Sequence, residues 1–155
     1  RRFAASAGFA AVAALAGLVW ILSTFTKRPW VDAGYHVPIA FVVVGGSLDA
    51  FFARRDRPTR GFLLTTALAA AYTVGRVVND WPLSGHGVLG AHFAVAATRP
   101  LWRRLGAAIA VQAFVTKWWL DERPESGVYG AALGVLIGLV ARRIDRERPS
   151  STTPS

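Results

Sequence analysis

The stretch Trp81-Pro82-Leu83-Ser84-Gly85-His86-Gly87 runs directly into an apolar segment at residues 88–98. A histidine at the mouth of a hydrophobic helix is either a functional group held at a membrane boundary or an isolated interfacial polar residue. The same arrangement, an apolar segment bounded by short polar or basic connectors, recurs along the chain. The sequence on either side of this turn therefore decides both the fold and whether the histidine of the turn is a functional group.

Hydrophobic residues make up 53% of the 155 positions, in blocks separated by basic or Gly/Pro-rich connectors. This pattern predicts one domain of packed membrane helices. A soluble globule of this size has too little interior to hide several helices that are apolar on all sides. We therefore predict an all-α polytopic membrane protein with a six-transmembrane-helix bundle.

The apolar blocks place the six helices at residues 3–25, 35–52, 61–78, 84–98, 105–119 and 126–141. The first block carries no charge and can cross a hydrocarbon core of about 30 Å. It is longer than the apolar region of a cleaved signal peptide, so we predict a retained helix. The bundle is predicted to cover residues 1–144, and the basic, Ser/Thr/Pro-rich residues 145–155 to form a disordered tail.

Six crossings bring both termini to one side of the membrane. Thirteen of the 18 Lys and Arg residues then lie on that side and five on the other. Because short loops rich in Lys and Arg stay in the cytoplasm, we predict a protein integral to the cell membrane with both termini cytoplasmic. Asp49, near the cytoplasmic end of the second helix, is predicted to pair with the Arg54-Arg55 region.

The net charge of +9 does not predict a nucleic-acid partner. The bases lie in connectors between apolar segments, and no surface that alternates basic and aromatic residues is apparent. The chain has no cysteine, which excludes a disulfide framework and a thiolate metal site. His36 and His86 come from separate helices with no local ligand spacing, so no metal and no cofactor is predicted.

Polar residues gather at the outer ends of the predicted helices. Ionisable groups at one end of a membrane bundle indicate a functional site, although loop residues are also polar simply because they meet water. His92 follows His86 by six residues, which rotates it by about 120° and moves it about 9 Å along the helix, away from a shared ligand. The gathered residues are His36, Arg76, Asp80, Ser84, His86, Lys117, Asp121, Glu122, Arg123 and Glu125.

A Ser-Gly-His turn at a helix start suits phosphate, because the unpaired N–H groups and the helix dipole favour an anion. Gly85 lets the backbone come close, and Ser84 offers a hydroxyl and an N-cap. His86 can give a proton to a leaving oxygen near neutral pH. The basic groups that could neutralise the phosphate oxygens are Arg76, Lys117 and Arg123.

This order of parts resembles the type-2 phosphatidic acid phosphatase superfamily, membrane lipid-phosphate phosphatases related to vanadium haloperoxidases. In that family a Pro-Ser-Gly-His motif opens the fourth of six helices on the extracytoplasmic side. Here Pro82-Leu83-Ser84-Gly85-His86 opens the fourth predicted helix. The resemblance covers most of the chain as topology and Ser-Gly-His as sequence, and it implies a catalytic role for His86.

The chain departs from the other motifs of the family. The first motif, Lys, six residues, then Arg-Pro, is absent before the turn. The third motif would place Thr116-Lys117 at its start, Arg123 at the nucleophilic histidine and Gly127 at the orienting aspartate. Arginine stays protonated and cannot serve as that nucleophile. Asp121 and Glu125 have the matching four-residue spacing, which is evidence from spacing alone.

Two functions therefore remain open. The first is an integral membrane protein resembling lipid-phosphate phosphatases, with a phosphate-binding cluster on the extracytoplasmic side and membrane lipids as partners. The second is a non-catalytic relative that binds lipid or serves as a structural subunit of a larger membrane complex with other membrane proteins. Glycines at four-residue spacing let another helix approach closely, and this face is Gly130, Gly134 and Gly138.

Overall fold

The computed structural model describes residues 18, 20–22, 29–54, 58–79, 81–120 and 123–147. Every regular element in these residues is an α-helix, which confirms the predicted all-α class for them. The helices are α1, described at 18 and 20–22, then α2 (Pro29–Ala53), α3 (Arg60–Asn79), α4 (Gly85–Ala96), α5 (Pro100–Trp119) and α6 (Pro124–Arg146). Most of the predicted first helix and of the predicted tail lies outside the described residues.

Prolines and one serine set the helix starts. Pro29, Pro100 and Pro124 are the first residues of α2, α5 and α6, where the missing N–H has no helical partner to lose. Ser84 caps α4, because its side chain accepts a hydrogen bond from the N–H of Gly87. The proline starts explain why α2 and α5 begin earlier than the apolar blocks predict.

The last helix continues beyond its predicted end at residue 141. α6 runs to Arg146, and the carboxylate of Asp145 in its last turn accepts hydrogen bonds from the N–H groups of Gly61 at 2.6 Å and Phe62 at 3.1 Å. Asp145 thus caps the start of α3, where N–H groups lack partners and the dipole favours an anion. Residues 145 and 146 therefore belong to the bundle rather than to the tail.

α4 lies at the centre of the bundle. It has 12 residues, of which most are buried, and it packs chiefly against α6 and α5, then against α3 and α2. Helices adjacent in sequence run in opposite directions, so the bundle has two ends. We call the end with His36, His86 and Lys117 the histidine end, and the end with Asp49 and Asp145 the arginine end.

Glycines on α6 allow its close contact with α4. A Cβ at Gly130 would lie 2.6 Å from the carbonyl oxygen of Ser84, and one at Gly138 would lie 2.8 Å from the Cβ of Val95. A Cβ at Gly134 would overlap α4 in the same way. The glycine face predicted to receive another helix is therefore covered by α4 of the same chain, and it is not available to another subunit.

Among the described residues, two helices are long and apolar enough to cross a membrane, α2 over His36–Ala53 and α6 over Pro124–Arg146. Only 22% and 28% of these stretches are buried inside the protein, whereas the core helix of a soluble protein is mostly buried. α4 is about 18 Å long, too short for the hydrocarbon core of a bilayer. These two candidate spans support membrane association, but the predicted six spans are not confirmed.

Candidate functional site

The Ser-Gly-His turn is held against the start of α6 by hydrogen bonds. The N–H of Ser84 donates to the carbonyl oxygen of Ser126 at 3.0 Å, and the hydroxyl of Ser126 donates to the carbonyl oxygen of Pro82 at 2.6 Å. Ser84 is only 2% exposed, and its hydroxyl accepts from the N–H of Gly87 at 3.3 Å. Ser84 therefore acts as the predicted N-cap, and burial separates it from the surface where a phosphate contact was predicted.

Gly85 faces α3 rather than a ligand. A Cβ at this position would lie 2.6 Å from Cγ2 of Thr73 and 2.9 Å from its Oγ1. Trp81, before the turn, also packs on α3, where its ring lies 5.3 Å from the ring of Tyr72. The absent side chain of Gly85 thus makes room for α3, which replaces the close approach to phosphate that the sequence predicted for this residue.

His86 contacts a second histidine at the histidine end. Its Nε2 lies 3.1 Å from Nδ1 of His36 on α2, and the ring centroids are 4.9 Å apart. One ring nitrogen must donate the hydrogen and the other must accept it, so this bond forms only while one of the two nitrogens is unprotonated. The sequence predicted that both residues lie at the same end, but not that their rings meet.

The described charges that act on the His86 ring are positive. They belong to Arg76 in the last turn of α3 and to Lys117 in the last turn of α5. The Nε–H of Arg76 is buried and has no hydrogen-bond acceptor in the described part of the chain. A buried donor without an acceptor costs free energy, which an anion would recover. We call His36, Arg76, His86 and Lys117 the histidine-end cluster.

Arg123 contacts this cluster through its backbone and not through its charge. Its residue is exposed, and its charge is not among those that act on His86. Its backbone joins α5 to α6, because its N–H donates to the carbonyl oxygen of Lys117 at 3.0 Å and its carbonyl accepts from the N–H of Ser126 at 3.2 Å. Of the predicted phosphate-binding bases, Arg76 and Lys117 act electrostatically on His86, whereas Arg123 does not. Asp80, Asp121 and Glu122 lie outside the described residues.

His92 is part of the core. It is fully buried, its Nε2 lies 2.9 Å from Oγ1 of Thr66, and its ring stacks on that of Phe62 at 5.5 Å between centroids. His92 therefore faces α3 and does not share a ligand with His86, as its position along the helix predicts. Among the described residues, no three or more His, Cys, Asp or Glu side chains form a group that could hold a metal ion.

Asp49 pairs differently from the prediction. Its carboxylate forms an ion pair with Arg99 at 3.0 Å and accepts a hydrogen bond from Nε1 of Trp102 at 3.1 Å. The guanidinium of Arg54 instead lies 3.8 Å above the ring of Phe51. Asp49 therefore pairs with Arg99 at the start of α5 and not with Arg54, while Arg55, the other residue of the predicted Arg54-Arg55 region, lies outside the described residues.

Comparisons of the chain with protein-family models, with curated proteins and with solved structures gave no match. The resemblance to lipid-phosphate phosphatases thus depends on the Ser-Gly-His turn and the order of the helices. Function has to be argued from the chemistry of the histidine-end cluster itself.

Proposed function

We propose that the protein is an integral membrane protein that binds a phosphorylated lipid headgroup at the histidine-end cluster. The observation that carries this proposal is the buried Nε–H of Arg76, which lacks a described acceptor beside the positive charges around His86. Phosphate oxygens would accept from Arg76 and Lys117, and guanidinium and ammonium groups form their strongest hydrogen bonds with such anions. The imidazole rings of His36 and His86 would complete the contact.

The surface of the bundle favours a lipid environment. Large apolar side chains are more than half exposed on each of the four helices around α4, where a bilayer would cover them. Examples are Val37, Phe41 and Val44 on α2, Leu68 on α3, Val111 on α5 and Leu136 on α6. Short apolar α4 would then be enclosed by protein rather than by lipid.

The distribution of basic residues supports an orientation. Because most of the described Lys and Arg residues lie at the arginine end, the positive-inside tendency would place that end in the cytoplasm. The histidine-end cluster would then face the extracytoplasmic leaflet, where the phosphate of a lipid headgroup lies within reach.

Binding is better supported than hydrolysis. Arg123 occupies the position of the nucleophilic histidine of the family, and it is exposed and its charge does not act on His86. His86 remains the candidate proton donor for a leaving oxygen. The covered glycine face of α6 removes the surface on which a role as a structural subunit was argued.

The three histidines allow a site-specific test by NMR of histidine-labelled full-length chain in detergent. Titration with dioctanoyl phosphatidic acid should shift the ring signals of His36 and His86 in a saturable way, while buried His92 serves as the internal control. Arg76→Gln should weaken the apparent affinity about ten-fold, the loss of one charge-assisted hydrogen bond. Exposed Arg104→Gln removes the same charge and should leave the affinity unchanged.

Unshifted signals of His36 and His86, or an equal affinity in Arg76→Gln, would exclude phosphate binding at this cluster. Phosphate release from the same lipid, measured beside His86→Ala, separates the two remaining functions. Release that the substitution abolishes establishes a hydrolase, whereas binding without release establishes a non-catalytic lipid-binding protein.

A further inference from the structure

A second place suited to a ligand lies at the arginine end. A cavity of about 480 Å³ opens between the end of α2, the start of α3 and the end of α6. This volume falls within the range of roughly 300 to 1,000 Å³ typical of small-molecule sites. The lining combines two guanidinium groups with apolar side chains and one carboxylate. It includes Phe51, Arg54, Arg60, Leu63, Leu64 and Asp145.

The frame of this cavity is fixed by hydrogen bonds. The hydroxyl of Thr59, which is only 2% exposed, donates to the carbonyl oxygen of Ala50 at 3.1 Å and ties α3 to α2. The two carboxylate oxygens of Asp145 accept from the N–H groups of Gly61 and Phe62 and tie α6 to α3. The carboxylate that lines the cavity is therefore used by the backbone.

The two arginines of the cavity have no acidic partner within the described residues. Asp49 pairs with Arg99 and Glu147 with Arg143, whereas neither Arg54 nor Arg60 takes part in such a pair. The guanidinium carbon of Arg54 lies 3.8 Å from the centre of the Phe51 ring, a contact that leaves its N–H groups able to donate. Two guanidinium groups beside one cavity favour an anion.

An apolar surface continues from the cavity along α3. Leu64 lines the cavity and is 53% exposed, and Leu68, one turn further toward the middle of the bundle, is 60% exposed. Residues four positions apart lie on the same face of a helix. The cavity and this surface together match a ligand with an anionic head and a hydrocarbon chain.

We propose that this cavity binds the phosphate of an anionic phospholipid of the adjacent leaflet. Arg54 and Arg60 donate to the phosphate oxygens, and an acyl chain lies along Leu64 and Leu68. Basic pockets between membrane helices favour anionic headgroups in this way. A soluble phosphate would leave the apolar half of the site unused. The proposal rests on the membrane insertion proposed above, but not on binding at the histidine-end cluster.

The test uses the full chain reconstituted in vesicles of phosphatidylcholine and phosphatidylglycerol. After flotation and gentle extraction, mass spectrometry gives the ratio of phosphatidylglycerol to phosphatidylcholine retained per chain. Wild-type chain should retain phosphatidylglycerol preferentially, and Arg54→Gln or Arg60→Gln should each lower the ratio roughly five-fold. Arg104→Gln, also exposed and at the arginine end, is the matched control and should retain the wild-type ratio. Melting temperatures in detergent identify folded variants, and Arg54→Lys should keep much of the preference if folding is intact.

The outcomes separate the cavity proposal from the proposed function. If wild-type chain does not float with the vesicles, membrane insertion is wrong and both proposals fail. If it floats but the Arg54→Gln/Arg60→Gln double variant keeps the wild-type ratio, or Arg104→Gln loses as much, the cavity does not bind the lipid. If Arg76→Gln lowers the ratio while the Arg54→Gln/Arg60→Gln double variant does not, the retained lipid is assigned to the histidine end and the cavity is refuted.

Discussion

The two ends of the bundle are held together by different chemistry. At the arginine end, carboxylates connect the helices: Asp49 joins α2 to Arg99 and Trp102, and Asp145 caps α3. At the histidine end, the turn before α4 is fixed by the neutral hydrogen bonds of Ser84 and Ser126. Carboxylates therefore hold the helices together at the arginine end and neutral hydrogen bonds do so at the histidine end, so substitutions at the two ends should change stability by different amounts.

The largest effect on stability is expected at the arginine end. Asp145→Ala leaves the N–H groups of Gly61 and Phe62 without their shared acceptor, which should lower the free energy of unfolding by about 2 to 3 kcal/mol. Thermal and denaturant unfolding of the full chain in detergent would measure this loss. Asp145→Asn keeps an acceptor oxygen but not the charge, so its free energy of unfolding should lie between that of the wild-type chain and that of Asp145→Ala. A stability unchanged by Asp145→Ala would show that this end does not depend on its carboxylates.

A smaller effect is expected from the neutral bonds of the histidine end. Ser84→Ala removes the N-cap of α4 and should cost about 1 kcal/mol of stability in the same unfolding measurement. Ser84→Gly should cost only a few tenths of a kcal/mol, because glycine is tolerated at an N-cap. If Ser84→Ala destabilised the chain more than Asp145→Ala does, the ranking of the two ends would be reversed.

The smallest effect on stability is expected from an exposed ion pair at the arginine end. Arg143 and Glu147 form an ion pair at 2.7 Å within α6, with side chains 82% and 64% exposed. Exposed pairs of this spacing contribute little, so Arg143→Gln should change stability by at most about 0.5 kcal/mol. A loss as large as that of Asp145→Ala would mean that the number of charges, rather than their burial and geometry, stabilises this end.

The fold class and the grouping of residues at each end were predictable from local patterns. Apolar blocks mark the helices, and counting the turns between them brings His36, Arg76, His86 and Lys117 to one end. Helix ends were less accurate, because α5 starts at Pro100 and passes through charged residues that the apolar pattern excludes. The predicted number of membrane spans failed to be confirmed for a related reason: an apolar segment as short as α4 can be covered by protein instead of lipid.

The details of the site depend on contacts between distant residues. Gly85 meets Thr73 because of the rotation of α3 about its axis, and Asp145 reaches Gly61 across 84 residues of sequence. The ring of His36 meets that of His86 for the same kind of reason. No local spacing encodes such rotations, so the sequence predicted which residues share the histidine end, but not that Ser84 is buried, that Gly85 contacts α3 or that the charge of Arg123 does not act on His86.

The close contact of α4 with the glycines of α6 has a consequence for biosynthesis. α4 is made before α6, yet Gly130, Gly134 and Gly138 supply the surface on which it rests. During translation, α4 has to wait for the last helix to emerge from the ribosome before it reaches its final partner. A released chain that ends before residue 124 should therefore leave α4 accessible to proteases, and protection should arise only when α6 is present.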